Sequence, residues 1–179
     1  MTRKLTFSAT AVWLLGLTTG CFWTDEPALD AGQDVAGAAA RCITPEDAER
    51  MADQVVQLVN LARTERGLQP VVVNAKLEES ATEYACKMAN EGFFGHRDPI
   101  TGHGPARRAV ASQYKFYAVG ENLAAGQETP ADVMKVWMES PPHRDLILGP
   151  NWEEVGVAVR TGGEHSIYWV QEFGEPADY

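Results

Sequence analysis

Glu121 is the residue of this chain whose setting most suggests chemistry. It stands in Val119-Gly120-Glu121-Asn122-Leu123-Ala124, a carboxylate and an amide beside a glycine, framed by apolar residues. A carboxylate is costly to bury unless it is paired, hydrogen-bonded or bound to a cation, so this stretch reads as a poor core strand and a good site. Gly120 lets the backbone turn there or approach another part of the fold closely. Partners for Glu121 are to be sought among the four histidines, His96, His103, His143 and His165. His103 and His165 read as surface or turn histidines. His96 follows the aromatics of Phe93-Phe94-Gly95 and His143 follows Pro141-Pro142, so each sits in a framed loop at a predicted helix end. Such loops on rigid elements are where sites form. Neutral imidazole with a carboxylate suits Zn²⁺ or another divalent cation, with His96 and His143 as metal ligands and Glu121 as the best catalytic candidate.

Other chemistries lack their residues. There is no G-x-S-x-G elbow, no phosphate-cradling glycine loop and no H-E-x-x-H. Ser140, His143 and Asp145 span six positions across a double proline, which cannot set the acid behind the imidazole and the hydroxyl before it. Asp and Glu number 25 against 15 Lys and Arg, a formal charge of -10 that argues against a nucleic-acid partner.

The elements that must position these residues are legible from periodicity. Thr44-Pro45-Glu46-Asp47 predicts a helix start, with Thr44 as cap and Pro45 in the first turn. Met51, Val55, Leu58, Val59 and Ala62 give it one apolar stripe, and Gly67 ends it. After an extended link from Pro70 to Val73, a second helix from Ala75 to Asn90 puts Leu77, Ala81, Tyr84, Ala85 and Met88 on one face before Gly92. A short helix from Pro105 to Ser112 and a strand from Tyr114 to Val119 lead into Glu121. A third long helix runs from Pro130 to Glu139 with Val133, Val136 and Trp137 inward, and Pro141-Pro142 stops it. Ser140 is the candidate cap of the turn that follows. Val155, Val157 and Val159 alternating with Gly156 and Ala158, then Gly162-Gly163 and the run from Ile167 to Phe173, predict a β-hairpin. Its small residues should let a helix pack closely on one face while the valines fill the other. The class is α+β.

The first twenty residues read as an export signal. Arg3 and Lys4 precede an apolar run from Leu5 to Leu17 that is too short to span a bilayer comfortably, and Thr18-Thr19-Gly20-Cys21 closes it like a bacterial lipobox. Cleavage before Cys21 would leave that cysteine to carry lipid and anchor the protein to a membrane; a plain secretory signal with a spare Cys, or an uncleaved anchor, is the alternative. Residues 21–43 are rich in Asp, Gly, Pro and Ala and read as a flexible tether, and residues 44–179 as the folded domain. In an oxidising compartment the remaining cysteines, Cys42 and Cys86, have only each other to pair with.

Phe94-Gly95-His96, Gly120-Glu121-Asn122-Leu123-Ala124, Trp137-Met138-Glu139-Ser140-Pro141-Pro142-His143-Arg144, Val155-Gly156-Val157 and Tyr168-Trp169-Val170-Gln171-Glu172-Phe173 follow one another in an order that resembles the CAP superfamily. That family joins cysteine-rich secretory proteins, antigen 5 and pathogenesis-related 1 proteins, and this chain is similar to its shorter bacterial branch over roughly residues 48 to 174. The resemblance implies an α/β/α sandwich with a small antiparallel sheet between helical layers. It also implies a ligand cleft made by His96, Glu121, Asn122, Ser140, His143 and Tyr168. Eukaryotic members hold two His and two Glu in that cleft, and some bind a divalent metal. His96 matches the first His and Glu121 the first Glu, whereas Ser140 and Tyr168 stand near where the second Glu and second His would fall.

Three functions are compatible with these residues. The leading one is an envelope protein, lipid-anchored through Cys21 on the outer face of a bacterial membrane, that binds a lipid, glycan or protein in the His/Glu cleft. A metal-assisted hydrolase of peptide or cell-wall substrates is the second. In the third, the cleft residues form a hydrogen-bonded network that only holds loops together.

Overall fold

The computed structural model describes residues 42–177. The expected signal peptide, the lipidation site Cys21 and the tether up to residue 41 lie outside the described residues. Helix α1 (Ala48–Thr64) begins later than Thr44-Pro45 suggests. Those residues belong to a preceding turn, in which the Ala48 N–H donates to the Pro45 carbonyl at 3.1 Å, and no side chain caps the helix. Strand β1 (Val72–Val73) leads into α2 (Ala75–Glu91), whose start is capped by the Asn74 side chain and whose end is turned by left-handed Gly92. The five apolar positions predicted to face inward on α2 are all buried.

After α3 (Pro105–Ala111) comes β2 (Phe116–Ala125), which runs straight through Glu121. The sequence expectation of a poor strand there is corrected: Glu121 is tolerated because its face of the strand meets an arginine. Helix α4 (Pro130–Glu139) is capped by Thr129, whose hydroxyl accepts from the Asp132 N–H. Val133 and Trp137 are buried, but Val136 is 41% exposed and Met134 takes the inward place, because α4 presents the 133-134-137 arc to the core. Pro141-Pro142 both stops α4 and opens α5 (Pro141–Ile147). Ser140 stands at that junction without a side-chain capping bond. The predicted hairpin is β3 (Glu154–Thr161) and β4 (Ile167–Pro176), with Gly162 and Gly163 at positive φ in its turn.

The sheet order is β1-β3-β4-β2, so β2 is an edge strand. β2 and β3 both run antiparallel to β4, whereas β1 lies parallel to β3, which makes the sheet mixed rather than wholly antiparallel. The long connection from β1 to β3 imposes no hairpin, and so the parallel pair is allowed. Val155, Val157 and Val159 share one core with α1, α4 and Ile147 of α5, while Ala158 lies in a second core with α2. Gly156 meets α2 so closely that a Cβ there would overlap the backbone of Leu77 and Glu78. Helices thus cover both faces, the α/β/α arrangement.

Cys42 and Cys86 form a disulfide. Ile43 exchanges two backbone hydrogen bonds with Thr161, at 2.8 and 2.9 Å, so the folded part has begun by Cys42. Among the described residues no helix is long and apolar enough to cross a membrane.

Candidate functional site

Side chains alternate between the faces of a strand, and β2 therefore sends Glu121 and Asn122 to opposite sides of the sheet. Glu121 pairs in register with Glu172 of β4, on the side covered by α2 and α3. Its carboxylate is 1% exposed and both oxygens are engaged. Oε1 lies 2.8 Å from His96 Nδ1, and Oε2 accepts a bond from Arg108 Nη2. A carboxylate can only accept, so Nδ1 carries the hydrogen in this contact and Nε2 is left as the outward nitrogen of a ring that is 55% exposed.

Arg108, from α3, holds this side together. Its Nη1 donates to the carbonyls of His96 and His103 at 3.2 and 3.3 Å, and its guanidinium carbon lies 3.3 Å from the centre of the Tyr84 ring. The Tyr84 hydroxyl donates in turn to the Gly95 carbonyl, and burial pushes that phenol up to about 12. The loop between α2 and α3 has its own brace: Asp98 Oδ1 accepts the N–H groups of Ile100 and Thr101 at 2.7 and 2.9 Å. These backbone bonds, Thr101 first, hold the Asp98 carboxyl well below its usual range. Glu172, buried beside Arg108, goes the other way and is pushed up to about 8 by desolvation and then by the Glu121 charge.

On the opposite face Asn122 pairs in register with Gln171. The Asn122 amide donates to Gln171 Oε1 at 3.0 Å and to the His143 carbonyl at 3.2 Å, which ties α5 to the strand. Burial, with the neighbouring His96 adding to it, holds His143 below the ordinary imidazole range. Trp137 fixes α4 to the same strand by donating to the Leu123 carbonyl at 3.1 Å. The structure thus brings His96 to Glu121, ties Asn122 to the backbone carbonyl of His143 while the His143 imidazole stays within electrostatic reach of His96, and leaves Ser140 half-buried between α4 and α5. Tyr168 is fully buried in the α2-side core, paired with Ala125 four positions along β2 from Glu121.

The donor set does not fit Zn²⁺ or a related cation. A metal ion on Glu121 would lie against the Arg108 guanidinium, and like charges at that separation in a buried site repel strongly. Among the described residues no group of three or more His, Cys, Asp or Glu side chains is disposed to hold an ion.

Arg108, Glu172, Tyr84 and Gln171 carry much of this geometry, and none stands out in the sequence as a site residue. Glu172 has a signal, a charge inside the largely apolar run from Ile167 to Phe173. Arg108 has none, being one of two adjacent arginines on a short helix.

The pattern of the cysteine-rich secretory protein family, CAP, matches residues 56–173. The uncharacterised protein YkwD of Bacillus subtilis is 33% identical over 129 residues, covering 72% of this chain and 49% of its own. This chain therefore spans about half the length of that curated relative. An outer surface protein of Borrelia burgdorferi superposes with a TM-score of 0.67 at 21% identity, over 77% of this chain and 99% of its own. An extracellular protein of Bacillus anthracis containing an SCP domain gives 0.64 at 23% identity, over 74% of this chain and 44% of its own. At these identities the two structures share the fold.

Proposed function

We propose, from the premise that this chain belongs to the cysteine-rich secretory protein family, CAP, that it is an exported, lipid-anchored envelope protein that captures a ligand beside His96. The ligand class is lipid, glycan or protein, and the cleft works without a metal. One observation carries this reading: both oxygens of the Glu121 carboxylate are already engaged, one by Arg108 and one by His96. A glutamate so held cannot serve as a free base for water or as a ligand for zinc. It orients the imidazole, whose Nε2 is then presented outward for recognition.

Native mass spectrometry of the full chain, purified from the membrane of its own cells, tests this. The expected result is a co-purifying ligand that is lost in His96→Ala, with metal analysis giving no stoichiometric ion. Stoichiometric zinc that disappears in Glu121→Gln together with a hydrolytic activity would favour the metal-assisted hydrolase instead.

A further inference from the structure

Glu172 is an acid in the middle of the sheet, 1% exposed and directly across from Glu121. Residues opposite one another in an antiparallel pair share a face, so the two carboxylates stand side by side between β2, β4 and the helices above them. One guanidinium serves both. Arg108 Nη2 bonds Glu121 Oε2, while Arg108 Nε lies 3.7 Å from Glu172 Oε1, beyond hydrogen-bond range. Arg108 Nε and Glu172 Oε1 are buried and each lacks a hydrogen-bond partner among the described residues. The same guanidinium, through Nη1, holds the carbonyls of His96 and His103. A single cation neutralises one buried carboxylate and not two, and here Arg108 is set on Glu121.

We propose that Glu172 is a proton-controlled positioning residue of the Glu121 site. Neutral, it leaves Arg108 to Glu121 and to the loop between α2 and α3. Ionised, it draws Arg108 toward β4, shortening the 3.7 Å gap and loosening the hold on the His96 and His103 carbonyls.

The surroundings favour this assignment from every side. β2 contributes the Glu121 charge, with His96 beyond it, and β3 contributes only Gly156 as register partner. α3 contributes Arg108; α2 contributes the Ser80 hydroxyl and the phenol of Tyr84, which burial keeps neutral. Asp98, the other acid in the neighbouring loop, is already paired with Lys87 at 3.2 Å. Desolvation leads the causes that push Glu172 up to about 8, the Glu121 charge follows, and Ser80 and Arg108 oppose them. The inference holds whatever ligand the cleft takes.

Two-dimensional ¹H–¹⁵N NMR of the full chain between about pH 6.5 and 9.5 reads this out directly. The cross-peaks of residues 95–104 should move together with one midpoint near 8. In Glu172→Gln, an isostere of the neutral carboxyl, the same peaks should hold their low-pH positions, with excursions at least about fivefold smaller. Wild-type peaks that stay flat across that window, or a midpoint that survives in Glu172→Gln, would overturn the proposal. If that variant fails to fold, infrared spectroscopy of the wild type decides. A buried carboxylic acid C=O stretch present at low pH and lost near pH 8 supports it, and its absence throughout overturns it.

Discussion

Arg108 determines more of the site than either histidine, because among the described residues it is the one arginine or lysine on a glutamate that the fold has taken out of water. Removing one partner of a buried pair leaves an uncompensated charge, which costs about 3–5 kcal/mol. Arg108→Ala should therefore lower stability by about that amount in urea denaturation, whereas His96→Ala, truncating a half-exposed ring, should cost about 1 kcal/mol or less. Glu172 and His143 make stability depend on pH with opposite signs. Glu172 has its folded value raised to about 8 from 4.5, so the folded chain keeps a proton that the unfolded chain releases. Its contribution is complete below about 4.5 and is lost as pH climbs through 8. His143 is depressed from 6.5, so its contribution is present above that value and is lost as pH falls below it. Thermal unfolding should show the Glu172 contribution to the wild-type midpoint falling between about pH 4.5 and about 8, with that fall flattened in Glu172→Gln. Glu121 and His96 are legible in the sequence because a carboxylate and an imidazole in apolar frames announce themselves locally. Their partners are not, since pairing Glu121 with Glu172 depends on a strand register set about fifty residues away.

Elements keep the site in place through contacts that composition does not advertise. Arg63 of α1 is fully buried and donates to four backbone carbonyls. Those are Gln69 at 2.9 Å, Ile147 at 2.7 Å, Gly149 at 2.8 Å and Trp152 at 3.0 Å. It thereby clamps the end of α5, the helix that carries His143, to α1 and to the approach to β3. Leu146 and Trp152 in turn lie against Gly120, where any Cβ would collide with the Leu146 side chain. Of the two roles open to Gly120 in the sequence, the structure shows the close approach and not the turn, because the residue sits inside β2. Alternation along β3 is readable, since valines and small residues on opposite faces follow from a period of two. Gly156→Ala should destabilise the domain by about 1–3 kcal/mol or more, because the clash is with the backbone of α2 and not with a flexible side chain. Calorimetry should show the loss, and Val136→Ala on the exposed side of α4 should change the unfolding midpoint little.

At the scale of the molecule, the family fold is legible because five short motifs fall in the right order, while the parallel placement of β1 is not, since two residues carry no direction of pairing. The disulfide follows from the cysteine count once export is read from the start of the chain. Closing a loop of 44 residues contributes about 4 kcal/mol in the chain-entropy picture. Reduction, or Cys42→Ser with Cys86→Ser, should lower stability by roughly that amount in denaturant titrations. Cys21→Ser should move the protein from the membrane to the soluble fraction, and unchanged membrane association would count against lipidation. The position of Cys42 gives that disulfide a mechanical meaning. A pull on the chain from the N-terminal side of Cys42 is delivered covalently to Cys86 in the middle of α2, and across the Ile43 bridge to the end of β3. The load therefore enters where the α2 layer meets the sheet and does not peel α1 away turn by turn. Tension applied ahead of Cys42 would therefore reach α2, the helix that carries Tyr84, and the end of β3 together.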